Sequence, residues 1–217
     1  MDSDAVVRDR VEEELDWTPD VGSEHIGIAV KEGTVALSGE VETYAEKLAA
    51  KRAALRVRGV RAVIDDLTVE SKAAWPMSEV DIAKEVEHAL EMAANVPDTV
   101  KATIDGHHIT LTGHVAWDFQ RHAAMRAVQY LRGVSSVTDL TTLTARASAA
   151  DAETRIRDAL TRNAQLDAST IDATVSGNKV VLTGQVRSWA EKRQAGEAAW
   201  ASPHVTEVDN RIVVQGY

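Results

Sequence analysis

The side chains whose types and spacing could do chemistry fall into three groups. The first is a run of cations: Lys47, Lys51, Arg52, Arg56 and Arg58, with Arg61 just beyond. On a helix Lys47 and Lys51 stand one turn apart, as do Arg52 and Arg56, so both pairs flank one outer surface. Such a ridge can lie on anionic headgroups, where each Lys or Arg near an acidic leaflet contributes about 1 kcal/mol. The ordinary alternative is a solvated helix face, because Glu42 and Glu46 share the helix. The second group is seven histidines, with His107, His108 and His114 clustered. His108 and His114 share strand parity, but at about 3.3 Å per residue their separation is on the order of 20 Å, too far for one ion. With no H-x-x-x-H helical pair elsewhere, no metal site is assigned. The third is five tryptophans beside a single phenylalanine. Trp17, Trp117 and Trp189 fall near helix ends, where an indole can bury its ring and keep its N–H wet. That suits a module interface first, then a lipid interface or a core edge.

Reaction chemistry finds no footing. The chain has no cysteine, no glycine-rich phosphate loop, no G-x-S-x-G elbow and no dinucleotide fingerprint. Asp65-Asp66 is a carboxylate pair without a partner base or cleft, and Asp65, Asp139 and Asn210 read as residues that cap or end a strand. The expectation is a non-enzyme with no cofactor.

What must position these residues is a module repeated three times. Val35-Ala-Leu-Ser-Gly39, Ile109-Thr-Leu-Thr-Gly113 and Val180-Val-Leu-Thr-Gly184 anchor a common register. From each glycine the same types return: Val41, Val115 and Val186, then Val60, Val134 and Val205, then Val63, Val137 and Val208, and finally Asp65, Asp139 and Asn210. A register held this long in three copies marks one unit triplicated. The expected bounds are residues 1–72, 77–146 and 149–217, joined by short linkers at Trp75-Pro76 and Ala145 to Ala150, with the modules packed together.

Each copy reads as helix, strand, strand, helix, strand. Val7, Val11 and Leu15 recur at helical spacing, as do Ile82, Val86 and Leu90, and then Ile156 and Leu160. Ser3, Ser78 and Asp151 are candidate N-caps. Alternating strands cover His25 to Val30, Val100 to Ile104 and Ile171 to Val175, each followed by a glycine turn. The anchoring glycine should close the second strand as a bend or close backbone approach. The helix after it presents Ala50, Ala53, Ala54 and Val57, matched by Ala124, Ala127, Val128 and Leu131, then by Ala195, Ala198 and Ala199. Gly59 and Gly133 are expected to stop two of these helices at C′, and Pro203 the third. Apolar runs at Val63 to Val69, Val137 to Leu143 and Val208 to Val214 predict the last strand. The fold class is therefore α/β in the α+β sense: a three-stranded sheet with two helices on one face, three times over.

Net charge is −10, with 44% hydrophobic and 27% charged residues. That balance is the one of a soluble globular protein, and its acidity disfavours nucleic acid, whose phosphates need a basic footprint. No apolar run reaches the roughly 20 residues of a membrane span. Met1-Asp-Ser-Asp-Ala lacks the basic and apolar regions of a signal peptide, so the chain is expected in the cytoplasm.

The order of elements, the glycine after the second strand and the valine-rich third strand resemble the BON domain of bacterial osmotically inducible and nodulation proteins, over almost the whole chain. The matching positions are Leu37, Gly39, Val41, Gly59, Val60 and Asp65, and Leu111, Gly113, Val115, Gly133, Val134 and Asp139. In the third copy they are Leu182, Gly184, Val186, Val205 and Asn210, with His204 where the second glycine would stand. The three-copy layout is similar to OsmY-like proteins, many of them periplasmic. The resemblance implies a binding protein of osmotic or envelope stress, attached to phospholipid surfaces or membrane-associated partners; the residues themselves offer the ridge from Lys47 to Arg61 as the candidate contact. It also leaves open a cation sensor, since a bacterial potassium-binding protein carries a BON domain beside a LysM domain that is missing here. A protein-interaction scaffold is the third option, and the oligomeric state stays open.

Overall fold

In the computed structural model, the structure describes residues 3–70, 77–145, 152–162 and 170–215. The linkers expected at Trp75-Pro76 and across 146–150 and the Asp151 cap lie outside the described residues. By contacts the first two repeats fall in one compact unit and the third in another.

The first repeat comprises α1 (Asp4–Asp16), a single 3-10 turn (Ser23–His25), β1 (Ile26–Lys31), β2 (Thr34–Val41), α2 (Tyr44–Arg56) and β3 (Ala62–Val69). The second holds α3 (Glu79–Met92), β4 (Lys101–Asp105), β5 (His108–Thr112), β6 (His114–Val115), α4 (Asp118–Val128), β7 (Ser136–Asp139) and β8 (Thr142–Leu143). The third holds α5 (Ala152–Arg162), β9 (Ile171–Ser176), β10 (Lys179–Val186), α6 (Trp189–Trp200), β11 (Glu207–Asn210) and β12 (Val213–Val214).

In the first repeat β2 is central, antiparallel to β1 and parallel to β3. Both helices cover one face. Val7, Val11 and Leu15 of α1 and Ala50, Ala53 and Ala54 of α2 are buried with Val35, Leu37 and Val41. Alanine has no bulk to hold the helix away, so α2 lies close over β2 and β3. The opposite face places Ala29, Ala36 and Ile64 in one register row. The third repeat rebuilds the same core from Ile156, Leu160, Val180, Leu182, Ala195 and Ala199. Within the first unit, Tyr44 at the head of α2 is hydrogen-bonded to the Val137 backbone of the second repeat, and burial raises its phenol above the ordinary value.

The helix starts follow the sequence. Ser3 accepts from Val6 N–H at 3.4 Å and Ser78 from Asp81 N–H at 3.2 Å. At α2, Thr43 accepts from Glu46 N–H at 3.1 Å while the Glu46 carboxylate reaches back to Glu42 N–H at 2.8 Å. Gln120 and Glu191 occupy the position of Glu46, accepting from Trp117 N–H at 3.0 Å and Arg187 N–H at 2.9 Å. The first and third repeats thus pin their strand-to-helix turn by a reciprocal device, with Ser188 accepting from Glu191 N–H at 3.2 Å as Thr43 does from Glu46; in the second, Trp117 offers no side-chain acceptor and only the Gln120 half is made.

Three expectations need correction. The anchoring glycine does not close its strand: β2 runs on to Val41 and β10 to Val186, while in the second repeat β5 and β6 flank Gly113. Its φ is +120°, +125° and +123° at Gly39, Gly113 and Gly184, and an added Cβ would stand 2.1, 2.1 and 2.0 Å from the carbonyl oxygens of His25, Thr99 and Thr170. Glycine is there because the neighbouring backbone fills the space of a side chain. Secondly, Gly59 and Gly133 are not helix stops. The helices end earlier, at Arg56 and Val128, and the glycines occupy the third position of turns closed by Val60 N–H to Val57 and Val134 N–H to Leu131. Their φ of +98° and +85° is what such a turn demands there. His204 takes that place in the third turn, closed by Val205 N–H to Ser202, without a positive φ. Thirdly, the last strand is continuous only as β3; in the later repeats it breaks into β7 and β8, and into β11 and β12.

Candidate functional site

The break falls beside a side chain that bonds locally in all three repeats, and the first repeat, where that bond is longest, keeps its strand whole. Asp65, Asp139 and Asn210 each turn a side-chain oxygen onto the backbone N–H two residues on: Leu67 at 3.4 Å, Thr141 at 2.9 Å and Ile212 at 3.2 Å. This bond turns Leu67, Thr141 and Ile212 into the interior, where they are 2%, 6% and 1% exposed. The expectation that these residues end a strand is met in the later repeats. A second role was missed.

In register, Lys47, Arg121 and Lys192 occupy one helix position in the three repeats. Lys47 Nζ lies 3.3 Å from Asp65 Oδ1 and also donates to the Leu67 carbonyl. Lys51 Nζ approaches Asp65 Oδ2 at 3.7 Å, and Arg121 Nε approaches Asp139 Oδ2 at 3.6 Å. The helix is therefore fastened to the last strand by a cation and a carboxylate in the first two repeats. In the third, Asn210 donates instead to the Lys192 carbonyl at 2.9 Å, and the Lys192 ammonium sits 5.3 Å from the centre of the Trp189 ring. The signal was present in the sequence as a shared cation eight residues beyond the anchoring glycine, but only contact shows that it meets the aspartate.

This divides the ridge. Lys47 and Lys51 are half-buried and turned onto Asp65, whereas Arg52, Arg56, Arg58 and Arg61 are exposed. Arg56 is tied to Glu14 at 2.7 Å and donates to Thr18 Oγ1 at 3.2 Å. Next to Thr18 stands Trp17, the C-cap of α1 and 80% exposed. Interface packing, the first choice for the tryptophans, fails for Trp17. Trp117 stacks with Phe119 at 6.4 Å and Trp189 takes Lys192 over its face. The arrangement brings an open indole and an arginine end of α2 to one place in the first repeat.

The second repeat has its own charged cluster. Asp118, with a side chain only 10% exposed, accepts from Arg121 and lies 3.0 Å from His122 Nδ1. Burial pushes the Asp118 carboxyl up, but the hydrogen bonds from His122 and Arg121 outweigh it and the net shift is downward. The bond to Asp118 raises His122 above its usual value. The other histidines are dispersed. His107 Nδ1 pairs with the Gly133 carbonyl at 2.7 Å, His108 with Ser136 Oγ at 2.6 Å and His114 with Thr142 Oγ1 at 2.7 Å. Among the described residues no cluster of His, Asp and Glu is arranged to hold a metal.

The family model of the BON domain matches three times, over residues 3–71, 78–145 and 148–216. The chain belongs to the BON domain family, as three tandem copies. It is a family of non-catalytic, binding-type domains, associated in general with osmotic stress and phospholipid binding. No curated protein matches the chain. Among solved structures it is similar to the C-terminal domain of CdsD, the structural protein of the Type III secretion system of Chlamydia trachomatis, at 11% identity over 99% of this chain and 100% of that one, with a TM-score of 0.27. A second CdsD structure aligns at 12% identity over 95% and 91% with a TM-score of 0.27. The PrgH periplasmic domain aligns at 9% identity over 88% and 95% with a TM-score of 0.22. Scores this low carry nothing toward function.

Proposed function

We propose that this chain is a non-enzymatic, OsmY-like binding protein that attaches to anionic phospholipid surfaces, or to partners held on them, in osmotic and envelope stress. No helix among the described residues is long and apolar enough to cross a membrane, so attachment is peripheral. The observation that carries the reading is Trp17, 80% exposed beside the Thr18 that holds Arg56. An indole prefers the boundary between headgroup and acyl chain, and arginines supply the attraction to an acidic leaflet. Arg52 and Arg58 are exposed on either side of Arg56 along the chain, and Lys47 and Lys51 brace α2 through Asp65, whereas Arg61 sits apart, beside Gly33. With a net charge of −10 on the whole chain, attraction has to come from such a local patch and fall with salt.

The test is co-sedimentation with vesicles of neutral and of anionic composition, at low and physiological salt. Retention on anionic vesicles alone, weakened by Trp17→Ala and by Arg52→Glu with Arg58→Glu, is the expected result. A chain left in the supernatant under every condition, or bound equally after these changes, overturns the reading.

A further inference from the structure

The second repeat sets two exposed apolar side chains at the places that Trp17 and Arg56 take in the first. The buried Val7, Val11 and Leu15 of α1 correspond to Ile82, Val86 and Leu90 of α3, which puts Met92 at the position of Trp17. Counted from Gly39 and Gly113, Arg52, Arg56 and Arg58 correspond to Arg126, Tyr130 and Arg132. The two helix pairs also meet alike, because a Cβ added at Gly59 comes within 3.0 Å of Val7 and one added at Gly133 within 3.1 Å of the corresponding Ile82. Met92 is 72% exposed and Tyr130 60%, and Arg126 and Arg132 are exposed as Arg52 and Arg58 are.

The contacts differ in one respect. In the first repeat Arg56 is held by Glu14 and Thr18, whereas the counterparts of those two are Ala89 and Ala93. The second repeat therefore has no carboxylate at that place, and its surface there is the more apolar. Glu91 adjoins Met92 as Asp16 adjoins Trp17, so this neighbouring charge is common to both. In the third repeat, aligned on its buried Ala152, Ile156 and Leu160, Arg162 stands at the place of Trp17 and Met92. Glu197, Ala201 and Pro203 stand there at the places of Arg52, Arg56 and Arg58. An apolar tip with arginines around it is thus a property of the first two repeats and is lost in the third.

From this correspondence we propose that the second repeat carries a second contact for anionic phospholipid surfaces, in which Met92 and Tyr130 enter the headgroup boundary and Arg126 and Arg132 hold phosphates. The inference rests on the lipid reading of the Trp17 surface. A phenol buries its ring while its hydroxyl stays among the headgroups, and the unbranched thioether of methionine adapts to an irregular apolar boundary. Arginine matches phosphate with two parallel hydrogen bonds. A free phosphate ion offers Met92 and the Tyr130 ring nothing, so the ligand is a lipid and not soluble phosphate. Both contacts belong to one compact unit, in which Tyr44 joins the two repeats. Once one contact is engaged, the other meets the surface at high effective concentration.

The chain has no cysteine, so a single environment-sensitive nitrobenzoxadiazole label can be placed on the full chain at Trp17→Cys, Met92→Cys or Arg162→Cys. Each is titrated with vesicles of phosphatidylcholine alone, with vesicles containing phosphatidylglycerol, and with inorganic phosphate. Emission from the first two labels is expected to rise about twofold or more on the anionic vesicles only, and that from the third to stay level. Unlabelled Met92→Ser with Tyr130→Ser should need at least about tenfold more anionic lipid for half retention in co-sedimentation. A rise at the Trp17 position without one at Met92, or unchanged retention of the double variant, overturns the second contact and leaves the lipid reading standing. No rise at either position overturns both. An equal rise at Arg162 reduces the signal to general nearness to the vesicle and overturns the site, and a rise with inorganic phosphate overturns the lipid as its ligand.

Discussion

Lys47 and Asp65 stand 3.3 Å apart, and Arg121 and Asp139, at the same two places one repeat later, stand 3.6 Å apart. The aspartate does two things at once, since its carboxylate also accepts from the backbone two residues on. Asp65→Ala removes both and leaves the two lysines facing a half-buried gap. The expected cost is about 1–3 kcal/mol, read as a lower urea midpoint. Asp65→Asn, which keeps the turn acceptor, should cost less than half of that. Equal losses in the two variants would show that the ion pair, and not the turn, carries the effect.

The third repeat is not interchangeable with the others. Asn210 is a donor to the Lys192 carbonyl as well as an acceptor from Ile212 N–H. Asn210→Asp would restore the residue of the first two repeats, yet sets a carboxylate against a carbonyl oxygen. We expect destabilisation of about 1–2 kcal/mol, visible as faster amide exchange in α6. A gain in stability would mean that Lys192 leaves Trp189 to pair with the new carboxylate.

Gly39 and Gly59 differ in what surrounds them. A methyl group at Gly39 meets the fixed His25 carbonyl oxygen at 2.1 Å, whereas at Gly59 it meets the end of the Val7 side chain at 3.0 Å. Gly39→Ala should cost about 3 kcal/mol or more and separate β1 from β2, and Gly59→Ala roughly 1–2 kcal/mol through its positive φ. Denaturation of the two variants side by side checks the order.

Asp118 and His122 give the second repeat a window of pH. The Asp118 carboxyl is lowered, so its contribution is present above its unfolded value of about 3.9 and is lost as pH falls through the folded value. His122 is raised, so its contribution is complete below about 6.5 and is lost as pH rises through the folded value. Their joint contribution is therefore greatest between about pH 4 and 6.5. His122→Gln should flatten the alkaline side of a melting-temperature profile and weaken the acid side in part, because Arg121 alone then holds the Asp118 carboxylate; an unchanged profile would sink this assignment.

Periodicity made the modules readable. Val41, Val115 and Val186, and likewise Val60, Val134 and Val205, are buried in all three copies because the strand period and the helix stripe face one core. Caps at Ser3 and Ser78 were readable because their partners lie three residues away. What escaped were features fixed by distant chain. Lys47 and Lys51 look like two more members of a basic ridge until Asp65, on another strand, draws them in. Trp17 looks like a packing residue, yet among the described residues it is 80% exposed. The last strand is shorter than its hydrophobic pattern predicts in the two repeats where the local side-chain bond is tightest, 2.9 Å at Thr141 and 3.2 Å at Ile212 against 3.4 Å at Leu67, and pattern alone is blind to that competition with the ladder.

That competition has a consequence for how the protein behaves in a crowd. An outer strand is a template on which another copy can grow, and a straight, unbroken one is the better template. In the second and third repeats the last strand offers pieces of four and two residues with a turn between them, so a copy laid against it would lose register after a few bonds. The first repeat keeps eight residues in line, but Asp65 and Asp66 sit in the middle, and two copies pairing there antiparallel would bring carboxylates face to face. The side-chain turn that draws Thr141 and Ile212 inward thus also guards those edges against filament growth, and leaves β4 as the straighter edge of the second repeat.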